Sequence, residues 1–168
     1  VTIIYAHPWS GSFSASVLNE AVTALEKNKR EYTIIDLHRE GFNPVMTEAD
    51  LRLFSKGKSA DPLVDRFQEI IKRSDELVFI FPVWWYDTPA ILKGFLDKVL
   101  LIDFAYSDDA RGVTPLMGWI KRASVFTSST SPTEDLETIF GDPIRTVFIG
   151  ATLKAVGIEN AGWLNICD

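Results

Sequence analysis

Short apolar runs alternate along the chain with longer stretches in which apolar residues recur every three or four positions. Residues 2–6 (TIIYA) form a β-rich apolar run that the turn formers HPWSGS interrupt. Apolar residues then stand at Phe13, Val17, Leu18, Ala21, Val22 and Leu25, the spacing of one helix face. Residues 32–37 are a second short run, so the opening of the chain predicts strand, helix, strand, a βαβ unit of ordinary length. Thr47 with Asp50 three positions on is a charged variant of the capping box and predicts a short helix in FNPVMTEADLRLF. Asp61 and Pro62 predict the cap and first position of another, buried through Val64, Phe67, Ile70 and Ile71. Residues 77–81 are continuously apolar, as suits a central parallel strand covered on both faces.

Pro89 predicts the start of the next helix, with Ile91, Leu92, Phe95, Leu96, Val99 and Leu100 on its inner side. A fourth strand is expected at residues 123–127, a helix at 143–156 and a fifth strand at 163–166. The stretches SKGKSAD and IDFAYSDDARGVTPLMG read as loop and long connection. This alternation predicts one α/β domain spanning residues 1–168, a size that suits a single core.

Composition narrows the function. Seventeen basic and twenty-three acidic residues leave a formal charge of −6, with the basic ones scattered, so no field for nucleic acid is built. One cysteine, Cys167, rules out an intrachain disulfide and a redox dithiol. With no leader-like segment and no apolar run near twenty residues, the expected location is the cytoplasm.

In open parallel sheets ligands bind beyond the carboxyl ends of the strands, which points to HPWSGSFS, PVWWYDTP and SSTSPTED. The first loop sets one imidazole, three hydroxyls and Gly11 ahead of a helix. It reads equally as a phosphate cradle or as a serine cap and turn. The spacing is neither GxGxxG nor GxxxxGK[ST], which disfavours a dinucleotide fingerprint and a triphosphatase. In the second loop Trp84, Trp85 and Tyr86 are more than a core needs. Strand alternation predicts one tryptophan packed inward and the other framing a planar ligand. The third loop offers hydroxyls or a capped helix entry, and Tyr106 is either a satellite-core aromatic or a lid. His7 and His38 lack metal-ligand spacing, WSGSF lacks the frame of a serine nucleophile, and His38 is expected at the solvated surface.

Together IIYAHPWSGSFSASVLN, IIDLHREGFNP, ELVFIFPVWWYDTPAILKGFLDKVL and FAYSDD resemble the flavodoxin-like NAD(P)H dehydrogenase (quinone) family, which includes quinone reductases, azoreductase-like enzymes and the ancillary oxidoreductases of potassium efflux systems. The resemblance implies a flavodoxin-like three-layer sandwich with a five-stranded parallel sheet in 2-1-3-4-5 order. It further implies a homodimer that binds FMN, with FAD as the alternative, and passes hydride from NADH or NADPH through the flavin to a quinone or similar acceptor. On this likeness His7, Ser12, Phe13 and Ser14 surround the flavin phosphate. Pro82, Val83, Trp84, Trp85 and Tyr86 flank the ring system, Thr127, Ser128 and Ser129 complete the site, and Tyr106 reaches the acceptor pocket, often that of the neighbouring subunit. No catalytic side chain is assigned. The family loop after strand four usually reads Thr-Thr-Gly-Gly and is often followed by a tyrosine and a histidine. Here hydroxyl residues replace the glycines, and no Tyr or His follows Tyr106. That departure keeps open a regulatory subunit docked on a membrane transporter, and a flavin open to solvent also allows nitro or azo reduction. Many relatives also continue past the fifth strand into another loop and helix.

Overall fold

The computed structural model describes residues 1–110 and 112–167. In chain order the elements are β1 (Thr2–Tyr5), α1 (Phe13–Lys27), β2 (Thr33–Asp36), α2 (Glu48–Phe54), α3 (Pro62–Lys72), β3 (Glu76–Pro82) and α4 (Ala90–Val99). There follow β4 (Tyr106–Asp109), β5 (Gly112–Pro115), β6 (Arg122–Ser129), α5 (Thr133–Thr138), α6 (Ile144–Leu153) and β7 (Ala161–Cys167). Five strands pair in parallel in the order β2-β1-β3-β6-β7. Counted within that sheet alone, the order is the expected 2-1-3-4-5.

Period-two alternation divides the core. Ile4 and Ala6 face a large cluster that includes Phe67 of α3, Phe95 of α4 and Phe148 of α6, whereas Ile3, Tyr5 and Ile80 face Val17, Leu18 and Val22 of α1. Helices thus cover both faces, as the near-continuous apolar run of β3 requires.

A buried polar clasp sets where α4 lies. Lys98 is 2% exposed, and its Nζ donates to the Asn43 carbonyl at 2.9 Å and to Asp61 Oδ2 at 3.1 Å. Asp50 lies 3.8 Å away and the Phe42 ring sits below the ammonium. The Thr47–Asp50 capping box forms as predicted, and Asp50 also accepts from Ser59 Oγ and the Ala60 amide. Burial alone would raise the Asp50 carboxyl, but these hydrogen bonds outweigh it and hold it well below the usual carboxylate range. One cation therefore draws the 43–61 segment onto the helix that follows the aromatic loop.

Two elements depart from the sequence reading. The connection after α4 contains an antiparallel hairpin, β4 with β5, pairing Tyr106 with Pro115 through Asp109 with Gly112. Its strands, YSDD and GVTP, are short and mostly exposed, so they carry no apolar alternation to read. The helix expected at 143–156 forms over Ile144–Leu153 but is wound as a π-helix, a form usually limited to a single turn.

Candidate functional site

Three loops meet at the carboxyl ends of β1, β3 and β6. In the first, Ser12 caps α1, its Oγ accepting from the Ala15 amide at 3.1 Å, and the Tyr5 hydroxyl lies 3.4 Å from the same oxygen. Burial pushes the Tyr5 phenol up. The first-turn N–H groups of Phe13 and Ser14 have no carbonyl one turn back to bond, which makes this helix start a place for an anion. His7 Nδ1 accepts from the Trp9 amide at 3.1 Å. Burial outweighs the opposing hydrogen bond with Trp9 and holds the imidazole below its ordinary pKa. Because Nδ1 accepts the Trp9 amide, the neutral form of His7 carries its proton on Nε2 and can donate there.

His38 itself is a correction. It is half-buried rather than solvated, and its Nε2 has no hydrogen-bond partner among the described residues.

The second loop extends β3. Val83 N donates to Ser128 O at 2.8 Å, and Trp84 and Asp87 then exchange amide hydrogen bonds of 3.1 and 3.2 Å around a two-residue turn. Trp85 and Tyr86 both have positive φ, 51° and 65°, the geometry of a type I′ turn that ordinarily selects Asn-Gly. Their amides donate to no protein group among the described residues.

The expected division of the tryptophans does not hold. Neither is packed in the core: Trp84 is 46% exposed and Trp85 93%. Leaving the strand at Trp84 breaks the alternation that would have turned one inward. Trp84 instead meets His7 edge to face, with ring centroids 6.1 Å apart, and Tyr86 stacks on Phe140 at 3.9 Å.

Between the loops lies a cleft of about 510 Å³. Phe13 forms one wall, Pro82, Val83, Trp84 and Trp85 a second, and Ser128, Ser129 and Thr130 a third. Tyr86 borders an adjoining hollow of about 130 Å³ with Ser131 and Leu136. Ser14 lies just beneath, its Oγ 3.2 Å from Ser128 Oγ. Thr127 is buried behind this wall, accepting from Trp163 Nε1 at 2.8 Å and donating to Asn165 Oδ1 at 2.7 Å. Tyr106 stands elsewhere, in an apolar groove of about 810 Å³ with Leu51, Phe54 and Val113.

The expected third loop also contributes Thr130, whereas sequence reasoning missed Ile166 and Cys167, which line the cleft as well. The carboxyl-end rule, applied to β7 as it was to the other strands, would have found both. Among the described residues no group of three His, Cys, Asp or Glu side chains could hold a metal ion, and no helix is long and apolar enough to cross a membrane.

A parallel sheet wound with helices on both faces, with a mixed aromatic and hydroxyl cleft at its carboxyl edge, defines a doubly wound α/β protein whose cleft lies where this class of fold binds ligands. Residues 1–168 match the family described as having a flavodoxin-like fold, and the chain belongs to that family.

Among solved structures it is similar to the NAD(P)H:quinone oxidoreductase from Methanothermobacter marburgensis. Identity is 31% and the TM-score 0.88, covering 99% of this chain and 85% of that one. It is 36% identical over 111 residues to the uncharacterized NAD(P)H oxidoreductase YcaK of Escherichia coli, covering 64% of this chain and 56% of the relative. It is 32% identical over 123 residues to human ribosyldihydronicotinamide dehydrogenase [quinone], covering 63% and 53%. The chain spans about half the length of these curated relatives.

Proposed function

We propose that this chain is a flavin-dependent NAD(P)H oxidoreductase that delivers reducing equivalents from NADH or NADPH to a quinone or similar electrophile. The observation that carries the reading is the three-loop cleft, which joins unpartnered helix-start amides to an exposed aromatic wall. The names of its relatives, NAD(P)H oxidoreductases and quinone dehydrogenases, support the same chemistry. FMN is the preferred flavin of this reading and FAD the alternative.

The residues present fit such a ligand. The amides of Phe13 and Ser14 and the Nε2–H of His7 would hold the phosphate. Trp84 and Trp85 would cover the flat ring, and the amides of Trp85 and Tyr86 would meet its polar edge. Bound flavin supplies the two-electron chemistry of hydride acceptance and donation. The chain's part is to orient donor and acceptor on one open side and to limit water with its aromatic wall. Homodimerisation through the exposed apolar surface around Leu51, Val113 and Tyr106 belongs to the same reading, as does a cytoplasmic setting.

The absorption spectrum of the purified protein, followed by release and identification of its chromophore, tests the cofactor. Turnover of NADH and NADPH against quinones, nitroarenes and azo dyes then ranks the acceptors. Failure to bind either FMN or FAD at micromolar concentration would sink the proposal.

A further inference from the structure

We infer that Asn165 is the positioning residue of the cleft's third wall, acting through a hydrogen-bond chain of fixed direction. The inference rests on reading the cleft as a flavin site and says how a loop rich in hydroxyls serves it.

Hydroxyl side chains at Thr127, Ser128, Ser129 and Thr130 stand where the family resemblance predicts Thr-Thr-Gly-Gly, and free hydroxyls in place of the two glycines would compete with a planar ligand for space. Three of them are committed to protein partners. Ser128 pairs with Ser14, and Thr127 and Ser129 are both tied to Asn165 on β7.

The direction of that tie follows from donor and acceptor chemistry. Ser129 has one hydroxyl hydrogen and gives it to the Ser131 carbonyl at 2.6 Å, so toward Asn165 it can only accept. Asn165 must then turn Nδ2 to Ser129, at 2.8 Å, and Oδ1 to Thr127, at 2.7 Å. The Thr127 hydroxyl must donate to that Oδ1, and it accepts the Trp163 indole N–H, a group that can only donate. The second Nδ2 hydrogen reaches Thr133 Oγ1 at 3.1 Å, in the first turn of α5. One amide thus ties β7 to both ends of residues 129–133, with both of its hydrogens and its oxygen engaged.

Asn165→Asp tests this with almost no change of shape. An ionised carboxylate can only accept, so Ser129 must turn its hydrogen toward Asp and release the Ser131 carbonyl, and Thr133 keeps its tie only by turning its own hydroxyl hydrogen toward Asp. A protonated Asp carries one O–H and restores one of the lost donations.

The measurements are amide hydrogen exchange of residues 129–133 in the ligand-free protein, and the FMN dissociation constant by fluorescence titration at about pH 7.5 and about pH 3.5, below the ordinary Asp pKa, relative to wild type at each pH. The expected result is faster exchange in that segment and FMN binding weaker by about tenfold at the higher pH, partly recovered at the lower. Asn165→Leu should weaken binding without recovery. Ser129→Ala, a milder variant that keeps the Thr133 tie, should speed exchange only around Ser131. If wild type binds FMN while Asn165→Asp matches it in affinity and exchange, the inference is overturned. If wild type does not bind FMN, the functional reading falls, and the exchange data alone decide whether Asn165 orders the loop.

Discussion

The hydroxyls of Ser14 and Ser128 meet at 3.2 Å across 114 residues of chain. This contact joins the loop after β1 to the loop after β6, and Ser14 is 2% exposed, so its hydroxyl has no water to fall back on. Ser128→Ala should therefore cost about 1–2 kcal/mol, the penalty of a buried hydroxyl left unpaired. Replacing both serines should cost less than the sum of the single changes. Urea denaturation of the four proteins checks this, and strict additivity would show that the two hydroxyls do not interact.

Trp85 holds a left-handed backbone with its side chain 93% exposed, so the fold gains little from the indole and bears the strain of the turn. Asn tolerates that conformation far better. Trp85→Asn is expected to raise stability by about 0.5–1 kcal/mol while weakening FMN binding at least several-fold, a trade of stability for function. Thermal melting and FMN titration read the two effects separately. A variant that loses stability and binds FMN normally would assign the tryptophan to the fold instead.

The parts of the fold legible in the sequence are those written in short-range patterns. The apolar run of β3, the helix spacing from Phe13, the Thr47–Asp50 box and the Asp61-Pro62 helix start all stand where their residues place them. The carboxyl-end rule brought Phe13, Pro82, Val83, Trp84, Trp85, Ser128 and Ser129 to one cleft. What remained hidden depends on tertiary contact. The β4–β5 hairpin is short and without apolar alternation, the Trp85–Tyr86 turn uses residues that rarely adopt positive φ, and Asn165 is a hub only because β7 lies beside β6. Tyr106 lies in a groove separate from the cleft within one chain, so its expected role at an acceptor site requires a second copy.

Asp50 should leave a mark on acid stability. Its folded pKa is held below the unfolded value of about 3.9, so below about pH 5 the unfolded chain takes up a proton that the folded chain refuses. The stabilisation is fully present above that value and is lost as pH falls toward the folded pKa. Asp50→Asn should flatten this part of the stability curve. Because it removes one carboxylate from buried Lys98, it should also cost about 2–4 kcal/mol at neutral pH. Denaturation midpoints from about pH 2.5 to 7 test the slope. Parallel curves for the two proteins would count against the assignment.

Gly94, inside the ILKG stretch of α4, shows how closely this helix is seated. A Cβ added there would fall within the van der Waals radii of the Pro44 carbonyl and Cα, backbone that cannot rotate away. Helix propensity alone favours Gly94→Ala by about 1 kcal/mol, whereas overpacking against backbone costs about 1–3 kcal/mol or more. Contact wins, because Pro44 adjoins Asn43, whose carbonyl is held by Lys98 from the same helix. The expected outcome is a net loss of about 2 kcal/mol, with FMN binding weakened as α4 moves away from the aromatic turn that precedes it. Gly118→Ala is the control. No atom lies within 4 Å of its added Cβ, so its stability should stay within about 0.5 kcal/mol of wild type in the same urea titration. Equal behaviour of the two variants would mean that the 43–45 segment yields freely, and that the Lys98 clasp does not fix α4.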